Sequence, residues 1–160
     1  MSDSSKPNKA VILARGLGSR MRRESDEASL TKEQSAAADQ GVKAMISFGR
    51  PFLDYVISGL ADAGYDDICL VIGPEHDIIR DYYDSIPKSR VKISYAIQEE
   101  PLGTANAVLA AEEFAGEDAV VVLNSDNYYP VDAYRALHEL DGSGLIGFDP
   151  EALIEKSNIA

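Results

Sequence analysis

The chain of 160 residues has a single cysteine, Cys69, and no run of 18 apolar residues. A lone cysteine inside an apolar stretch allows no internal disulfide and no cysteine metal cluster, so we expect a small core residue there. The N-terminus, MSDSSKPNK, is polar and lacks the apolar segment of a secretory leader. Because no stretch is long enough to cross a bilayer, we expect a soluble cytoplasmic protein without a membrane partner.

The chain also lacks a basic tail and a histidine-based catalytic set. Its net charge is −12, which argues against general nucleic-acid binding. The only histidines, His76 and His138, fall in predicted surface helices, and no Ser/His/Asp or Cys/His arrangement is recognisable. Positive charge is concentrated at residues 1–23, which hold six Lys or Arg and one acid. Such a patch in an acidic chain suits an anion, although a basic arm without a function is the alternative.

A glycine loop follows the first predicted strand. The strand, Lys9–Ala14, is a short apolar run with β-branched residues, and Gly16, Gly18, Ser19 and Arg20 come after it. Glycines let backbone amides approach a ligand closely, and arginine adds a planar bidentate donor, so the loop suits phosphate oxygens. The alternative is a plain glycine turn with solvated arginines.

Two common nucleotide-binding loops do not fit this stretch. The dinucleotide fingerprint requires a third Gly or Ala where this chain has Met21. The P-loop string GxxxxGK[ST] does not occur. The loop therefore belongs to neither class.

Helical and strand periods alternate along the rest of the chain. The glycine loop is interpreted as a phosphate-binding loop for a nucleotide, and the polar segment at 24–41 as a flexible loop beside that nucleotide, with a plain surface insertion as the alternative. The predicted helices run from Phe52 to a C-terminal Gly64 and over Glu75–Ser85, Thr104–Phe114 and Val131–Leu140; the later strands span Asp67–Gly73, Val91–Ile97, Ala119–Leu123 and Gly144–Phe148. This order predicts a three-layer α/β/α fold with a mostly parallel, Rossmann-like sheet.

Ligands of such sheets bind at the carboxyl ends of the strands. After strand three, Gly103 opens a helix for which Thr104 is available as a cap, and the amide of Gln98 offers donors and acceptors; an ordinary capped loop is the alternative. After strand four, Asp126 offers a hard oxygen ligand of the kind that Mg²⁺ prefers beside phosphates. The alternative there is an Asx-turn that ends the strand.

Four strings, taken together, resemble the signature motifs of the sugar-phosphate nucleotidyltransferases, the NTP-transferase family, over residues 9–148. The strings are L-A-x-G-x-G-S-R-M from Leu13, V-K-A-M-I with G-R-P-F-L-D-Y-V from Val42, Q-x-x-P-L-G-T-A-x-A from Gln98, and S-D-N from Ser125. This chain has Arg15 where the family usually has Gly or Ala, Val42 where Pro is usual, and Ser125 where Gly is frequent.

The resemblance implies roles for individual residues. Arg20 and the amides of Gly16–Ser19 would hold the β- and γ-phosphates, and Arg15 is a further candidate phosphate contact. Gln98, Gly103 and Thr104 would contact the nucleobase. The implied nucleotide-binding residues are Leu13, Ala14, Arg15, Gly16, Gly18, Ser19, Gln98, Gly103 and Thr104; the implied catalytic residues are Arg20, Lys43 and Asp126, of which Asp126 also binds Mg²⁺.

The reaction implied is Mg²⁺-dependent attack of a sugar 1-phosphate, or a related phosphorylated acceptor, on the α-phosphorus of an NTP with release of pyrophosphate. The nucleophile is already an anion, so no general base is required. The fold implied is of the nucleotide-diphospho-sugar transferase type, and the partners are an NTP and the acceptor. The nucleobase, the acceptor and the oligomeric state, a homo-oligomer included, stay open.

Family enzymes run well past this length, so residues 1–160 are expected to be one nucleotidyltransferase-like domain, truncated on its C-terminal, sugar-binding side. A rival hypothesis is a non-catalytic nucleotide or sugar-nucleotide binding module of the same fold. The short chain and Arg15 favour this hypothesis. It is opposed by the presence of Arg20, Lys43 and Asp126, which a module that only binds does not require. A third is a generic doubly wound domain that serves as a subunit interface and leaves the loops without a role.

Overall fold

The computed structural model describes residues 7–16, 43–47 and 49–156. The strands are β1 Lys9–Leu13, β2 Asp67–Ile72, β3 Lys92–Ile97 and β4 Val120–Asn124. The α-helices are α1 Phe52–Ala63, α2 Asp77–Ser85, α3 Thr104–Ala110, α4 Glu112–Ala115, α5 Val131–His138 and α6 Pro150–Lys156, and a 3-10 turn covers Lys43–Met45. The predicted loop at 24–41 lies outside the described residues.

The four strands form one parallel sheet in the order β3-β2-β1-β4. The first strand therefore lies inside the sheet, with β2 on one side and β4 on the other. In a doubly wound sheet, the point where the strand order reverses is where ligands bind, and here that point lies between β1 and β4. The predicted parallel α/β sheet is confirmed.

Helices cover both faces of the sheet, which confirms the three-layer architecture. Side chains of a strand alternate between faces, so Ala10 and Ile12 enter the larger core while Val11 enters the smaller one. Helices α1, α2 and α5 supply the larger core, and α3 supplies the smaller core through Ala107. Cys69 lies in the smaller core, as predicted for a lone buried cysteine.

Helix α1 begins and ends where its sequence predicts. Pro51 occupies the cap position, and Gly64 terminates the helix in the left-handed conformation with φ of 104°. The amide of Gly64 donates to the carbonyl of Ala61, and the amide of Tyr65 donates to the carbonyl of Leu60. These bonds satisfy carbonyls that the helix end would otherwise leave unpaired, which is the reason for glycine at this position.

The prediction of a fifth strand at Gly144–Phe148 is wrong. This segment runs beside β4 across a cavity of about 630 Å³ and forms no ladder with it. Leu145 is 86% exposed, so the apolar pattern of the segment does not reflect burial here. A strand exists only when its backbone pairs with a neighbour, and among the described residues the outer edge of β4 has no paired strand.

Other boundaries differ by one or two residues, and two local predictions need correction. The helix predicted over Thr104–Phe114 is divided at Ala111 into α3 and α4. His76, predicted in a surface helix, is 2% exposed and precedes α2. Helix α6 was not predicted. Within the described part of the chain, no helix combines the length and the apolar character needed to cross a membrane.

Candidate active site

The carboxyl ends of all four strands are held at one edge of the sheet. Past the end of β1, the amide of Ala14 donates to the carbonyl of Val71 at 2.8 Å. The amide of Ser125 donates to the carbonyl of Leu13 at 3.2 Å, which ties the end of β4 to β1. On the other side, the amide of Gln98 donates to the β2 carbonyl of Ile72 at 2.9 Å. The loops that carry the sequence motifs therefore start from neighbouring points.

These loops enclose a cleft of about 450 Å³. Eight of the twelve residues proposed from the sequence line it: Leu13, Ala14, Arg15, Gly16, Gln98, Gly103, Thr104 and Asp126. Lys43 opens the 3-10 turn whose next residue, Ala44, lines the cleft. Gly18, Ser19 and Arg20 lie outside the described residues.

The larger cavity beside β4 contains none of the proposed residues and is mainly apolar. We take the cleft at the strand ends as the candidate site, because ligands of parallel α/β sheets bind outside the carboxyl ends of the strands.

Gln98 organises the loop between β3 and α3. Its side chain is buried, with the residue 4% exposed, and its Nε2 donates to the carbonyl of Gly103 at 3.1 Å and to Oδ1 of Asn106 at 2.8 Å. A glutamine amide nitrogen carries two hydrogens, so these two bonds commit it to the loop. Gln98 and Gly103 thus form one hydrogen-bonded unit in the cleft wall.

Gly103, rather than Thr104, occupies the cap position of α3, which corrects the predicted cap. Gly103 has φ of 98° and ψ of −178°, a conformation essentially restricted to glycine. Its carbonyl accepts from the amide of Ala107 at 3.0 Å and so starts the helix. Thr104 is the first helical residue and is exposed at the cleft.

Arg15 points toward the ends of β2 and β3. Its side chain is 7% exposed, and Nη1 donates to the backbone carbonyl of Gln98. Its Nη2 lies 3.6 Å from Oε1 of Glu75, while Nε is buried and has no hydrogen-bond partner among the described residues. The guanidinium is therefore engaged with protein groups at the rim of the cleft, and its predicted contact with a phosphate stays a prediction.

Glu75 faces Arg15 and has His76 beside it; neither residue lines the cleft, and neither is proposed from the sequence. Both follow β2, so the rule that selects strand-end loops could have found them. The amide of Gly73 donates to Nδ1 of the buried His76 at 3.3 Å, and the Nε2 of His76 lies 3.8 Å from Oε1 of Glu75. A hydrogen bond from its own backbone amide lowers the pKa of Glu75, and the charge of the Arg15 guanidinium acts in the same direction. Glu75 is therefore ionised at neutral pH.

Asp126 follows β4 and lies exposed in the cleft, beside the buried Ser125. Among the described residues, no group of three or more His, Cys, Asp or Glu could enclose a metal ion. A closed site is not needed for Mg²⁺, which is commonly held by one or two carboxylates together with substrate phosphates and water. A single exposed carboxylate in the lining of the cleft fits that mode of binding.

Comparison with known proteins identifies the family. The family model described as Nucleotidyl transferase matches residues 9–144, and the chain belongs to that family. A D-glycero-alpha-D-manno-heptose 1-phosphate guanylyltransferase from Aneurinibacillus thermoaerophilus is 32% identical over 123 residues, which cover 77% of this chain and 48% of that protein. The UTP–glucose-1-phosphate uridylyltransferase AglF of Haloferax volcanii is 33% identical over 121 residues, 75% of this chain and 44% of that protein.

A solved structure shows the same fold. The UDP-glucose pyrophosphorylase from Acinetobacter baumannii superposes with a TM-score of 0.58 at 26% identity, covering 75% of this chain and 46% of that one. The chain thus spans about half the length of these relatives. The nucleotide-diphospho-sugar transferase type of fold, expected from the motifs, is confirmed.

Proposed function

We propose that this chain binds a nucleoside triphosphate and takes part in transferring its nucleotidyl group to a sugar 1-phosphate or a similar phosphorylated acceptor, with release of pyrophosphate. One observation carries the proposal: residues from all four sequence motifs line a single cleft at the carboxyl edge of the sheet. The names of the relatives support the reaction class, since they are sugar 1-phosphate guanylyl- and uridylyltransferases.

In the proposed reaction, an anionic oxygen of the acceptor phosphate forms a bond to the α-phosphorus, and the bond from that phosphorus to the bridging oxygen breaks. The electron pair leaves with pyrophosphate. No proton has to be removed from the attacking oxygen, so the protein acts by positioning the phosphates and neutralising their charge. Mg²⁺, when bound, supplies part of that charge neutralisation.

Each part of the cleft has a proposed task. Gln98 and Gly103 form the wall that receives the nucleobase, and Gly16 leads into the phosphate-binding loop with Arg20. Lys43 contacts the reacting phosphates, and Asp126 holds Mg²⁺. The cytoplasmic location and the truncation on the sugar-binding side stay predictions, and the oligomeric state stays open.

The first test is nucleotide binding by the 160-residue chain. Thermal denaturation is followed with each of ATP, CTP, GTP, UTP and dTTP, with and without Mg²⁺. A ligand at about 100 times its Kd stabilises the native state by roughly 2.7 kcal/mol, which is readily measured. We expect one base to be preferred and Mg²⁺ to enhance its effect. The absence of stabilisation by every triphosphate would contradict the proposal.

The second test is pyrophosphate release with the preferred triphosphate and a panel of sugar 1-phosphates. We expect Asp126→Ala and Lys43→Ala each to lower the rate by on the order of 10²–10³, the usual cost of losing one charge-stabilising group. Asp141→Ala and Lys92→Ala serve as matched controls, because both residues are exposed and neither lines the cleft. Unchanged rates in both site variants would contradict the assigned roles, whereas triphosphate binding without any pyrophosphate release would support the non-catalytic binding module.

A further inference from the structure

Arg15 is a buried cation whose contacts join three loops at the carboxyl edge of the sheet. It follows β1, its Nη1 donates to the carbonyl of Gln98 after β3, and its Nη2 faces the carboxylate of Glu75 after β2. Gly73 makes room for this arrangement, because a Cβ at position 73 would collide with the carboxylate of Glu75. The three loops that follow β1, β2 and β3 are therefore connected through one guanidinium.

The arrangement is a poor device for stability alone. The side chain of Arg15 is more than nine-tenths buried, yet its Nε lacks a hydrogen-bond partner among the described residues. Its carboxylate neighbour is about half exposed and lies at 3.6 Å, beyond good hydrogen-bond distance. Burying a cation costs free energy, and a buried ion pair is weak evidence for a stabilising role. The contacts of Arg15 therefore give little reason to assign it a purely stabilising role.

The contact with Gln98 indicates what that role is. Arg15 holds the backbone oxygen of Gln98, and the side chain of Gln98 holds the carbonyl of Gly103. These two bonds form a chain from the end of β1 to the start of α3. Every link lies on the side of the cleft that would receive a nucleobase, and none involves Asp126 or the loop after β4.

We infer that Arg15 is a positioning residue for nucleobase recognition, which fixes the Gln98–Gly103 wall of the cleft through the Gln98 carbonyl. This inference rests on the proposed function. The ligand concerned is the base of the triphosphate, and the residue acts on it through Gln98. The guanidinium fork matters because it faces two acceptors at once, which a lysine ammonium on a flexible stem cannot reproduce with the same geometry.

The test measures base selectivity, defined as the ratio of the Kd of the weakest-binding triphosphate to that of the tightest. Kd values for ATP, CTP, GTP, UTP and dTTP are determined with Mg²⁺ for the wild type, Arg15→Ala, Arg15→Lys and Glu75→Gln. Arg90→Ala is the matched control, since Arg90 pairs with Asp62 at 2.6 Å on the surface and does not line the cleft. We expect Arg15→Ala to reduce selectivity at least tenfold, Arg15→Lys to restore only part of it, and Arg90→Ala to leave it unchanged.

The possible outcomes separate the inference from the proposed function. If Arg15 only contacted a phosphate, or if Arg15→Ala only reduced the amount of folded protein, the variant would bind all five triphosphates more weakly by the same factor and the Kd ratio would stay unchanged. That result overturns the inference and leaves the proposed function standing. A wild type without base preference overturns it in the same way. A wild type that binds no triphosphate overturns both. Where Arg15→Ala does not fold, unchanged selectivity in both Arg15→Lys and Glu75→Gln overturns the inference.

Discussion

The loop between β3 and α3 places Gly103 in a backbone conformation that other residues rarely adopt, and its replacement by alanine tests how the cleft wall is built. At φ of 98° and ψ of −178°, a Cβ at position 103 would meet no atom within 4 Å. The cost of Gly103→Ala therefore comes from the backbone alone, about 1–3 kcal/mol for a residue held in such a region. For a protein of this size, 1 kcal/mol corresponds to roughly 2–4 °C in Tm, so we expect a decrease of roughly 2–12 °C.

The same substitution should weaken nucleotide binding. If the loop relaxes to relieve the strain, the carbonyl of Gly103 moves away from Nε2 of Gln98 and from the amide of Ala107. The wall that we propose for the nucleobase then loses its hydrogen-bonded geometry. We expect the Kd of the preferred triphosphate to rise at least tenfold, measured by titration at a temperature where both proteins are folded.

Two other glycines provide controls for these effects. Gly116 has φ of 58°, a Cβ at this position would meet no atom within 4 Å, and the residue does not line the cleft. Gly116→Ala should therefore lower Tm without changing the Kd. Gly147 also lies in open space but has no positive φ, so Gly147→Ala should change neither quantity. The reasoning fails if Gly103→Ala keeps the wild-type Tm within about 1 °C, or if it lowers Tm as Gly116→Ala does while binding stays intact.

Two further predictions concern groups in the core and on α2. Cys69 is 1% exposed, and burial raises the pKa of its thiol to about 11. Iodoacetamide at pH 8 should therefore label Cys69 only after the protein is unfolded in urea, as followed by mass spectrometry. Rapid labelling of the native protein would contradict the buried position of Cys69 in the sheet. Burial and the hydrogen bond from the Tyr82 hydroxyl to Asp54 raise the pKa of Tyr82 to about 12. Because this pKa lies above the ordinary value of about 10, the stabilisation that protonated Tyr82 provides is complete below pH 10 and is lost at higher pH. The free energy of unfolding should therefore fall as pH rises from 10 toward 12. Urea denaturation at several pH values should show that the free energy of unfolding of Tyr82→Phe falls less steeply with pH than that of the wild type. An equal dependence on pH in both proteins would show that Tyr82 is not the cause of the fall.

The local elements were largely predictable because their signals lie within a few residues. Pro51, the apolar spacing after it and Gly64 define α1 through contacts that span at most one or two helical turns. The run from Ala10 to Leu13 is apolar on both faces, which is typical of a strand buried on both sides of a parallel sheet. The segment Gly144–Phe148 has a similar composition but no ladder, because pairing depends on a neighbouring strand that composition does not describe.

The candidate site was predictable in part for the same reason. Gly103 and Asp126 were found because a glycine before a helix and a carboxylate after a strand are local patterns, and parallel strands place such loops at one edge. Glu75 carries no comparable pattern. Its place beside Arg15 depends on β2 lying next to β1, a pairing that the order of elements along the chain leaves undetermined.

The sequence by itself determined the alternating α/β elements, the glycine turns and the family motifs, because each is encoded by neighbouring residues through backbone preference and apolar periodicity. The tertiary structure decided the strand order β3-β2-β1-β4 and, through it, which loops meet. It joined Arg15 to Gln98, which is 83 positions away along the chain. Such a contact depends on where the strands of the sheet place their carboxyl ends, because residues far apart in sequence come together only when burial of the apolar faces fixes the strands side by side.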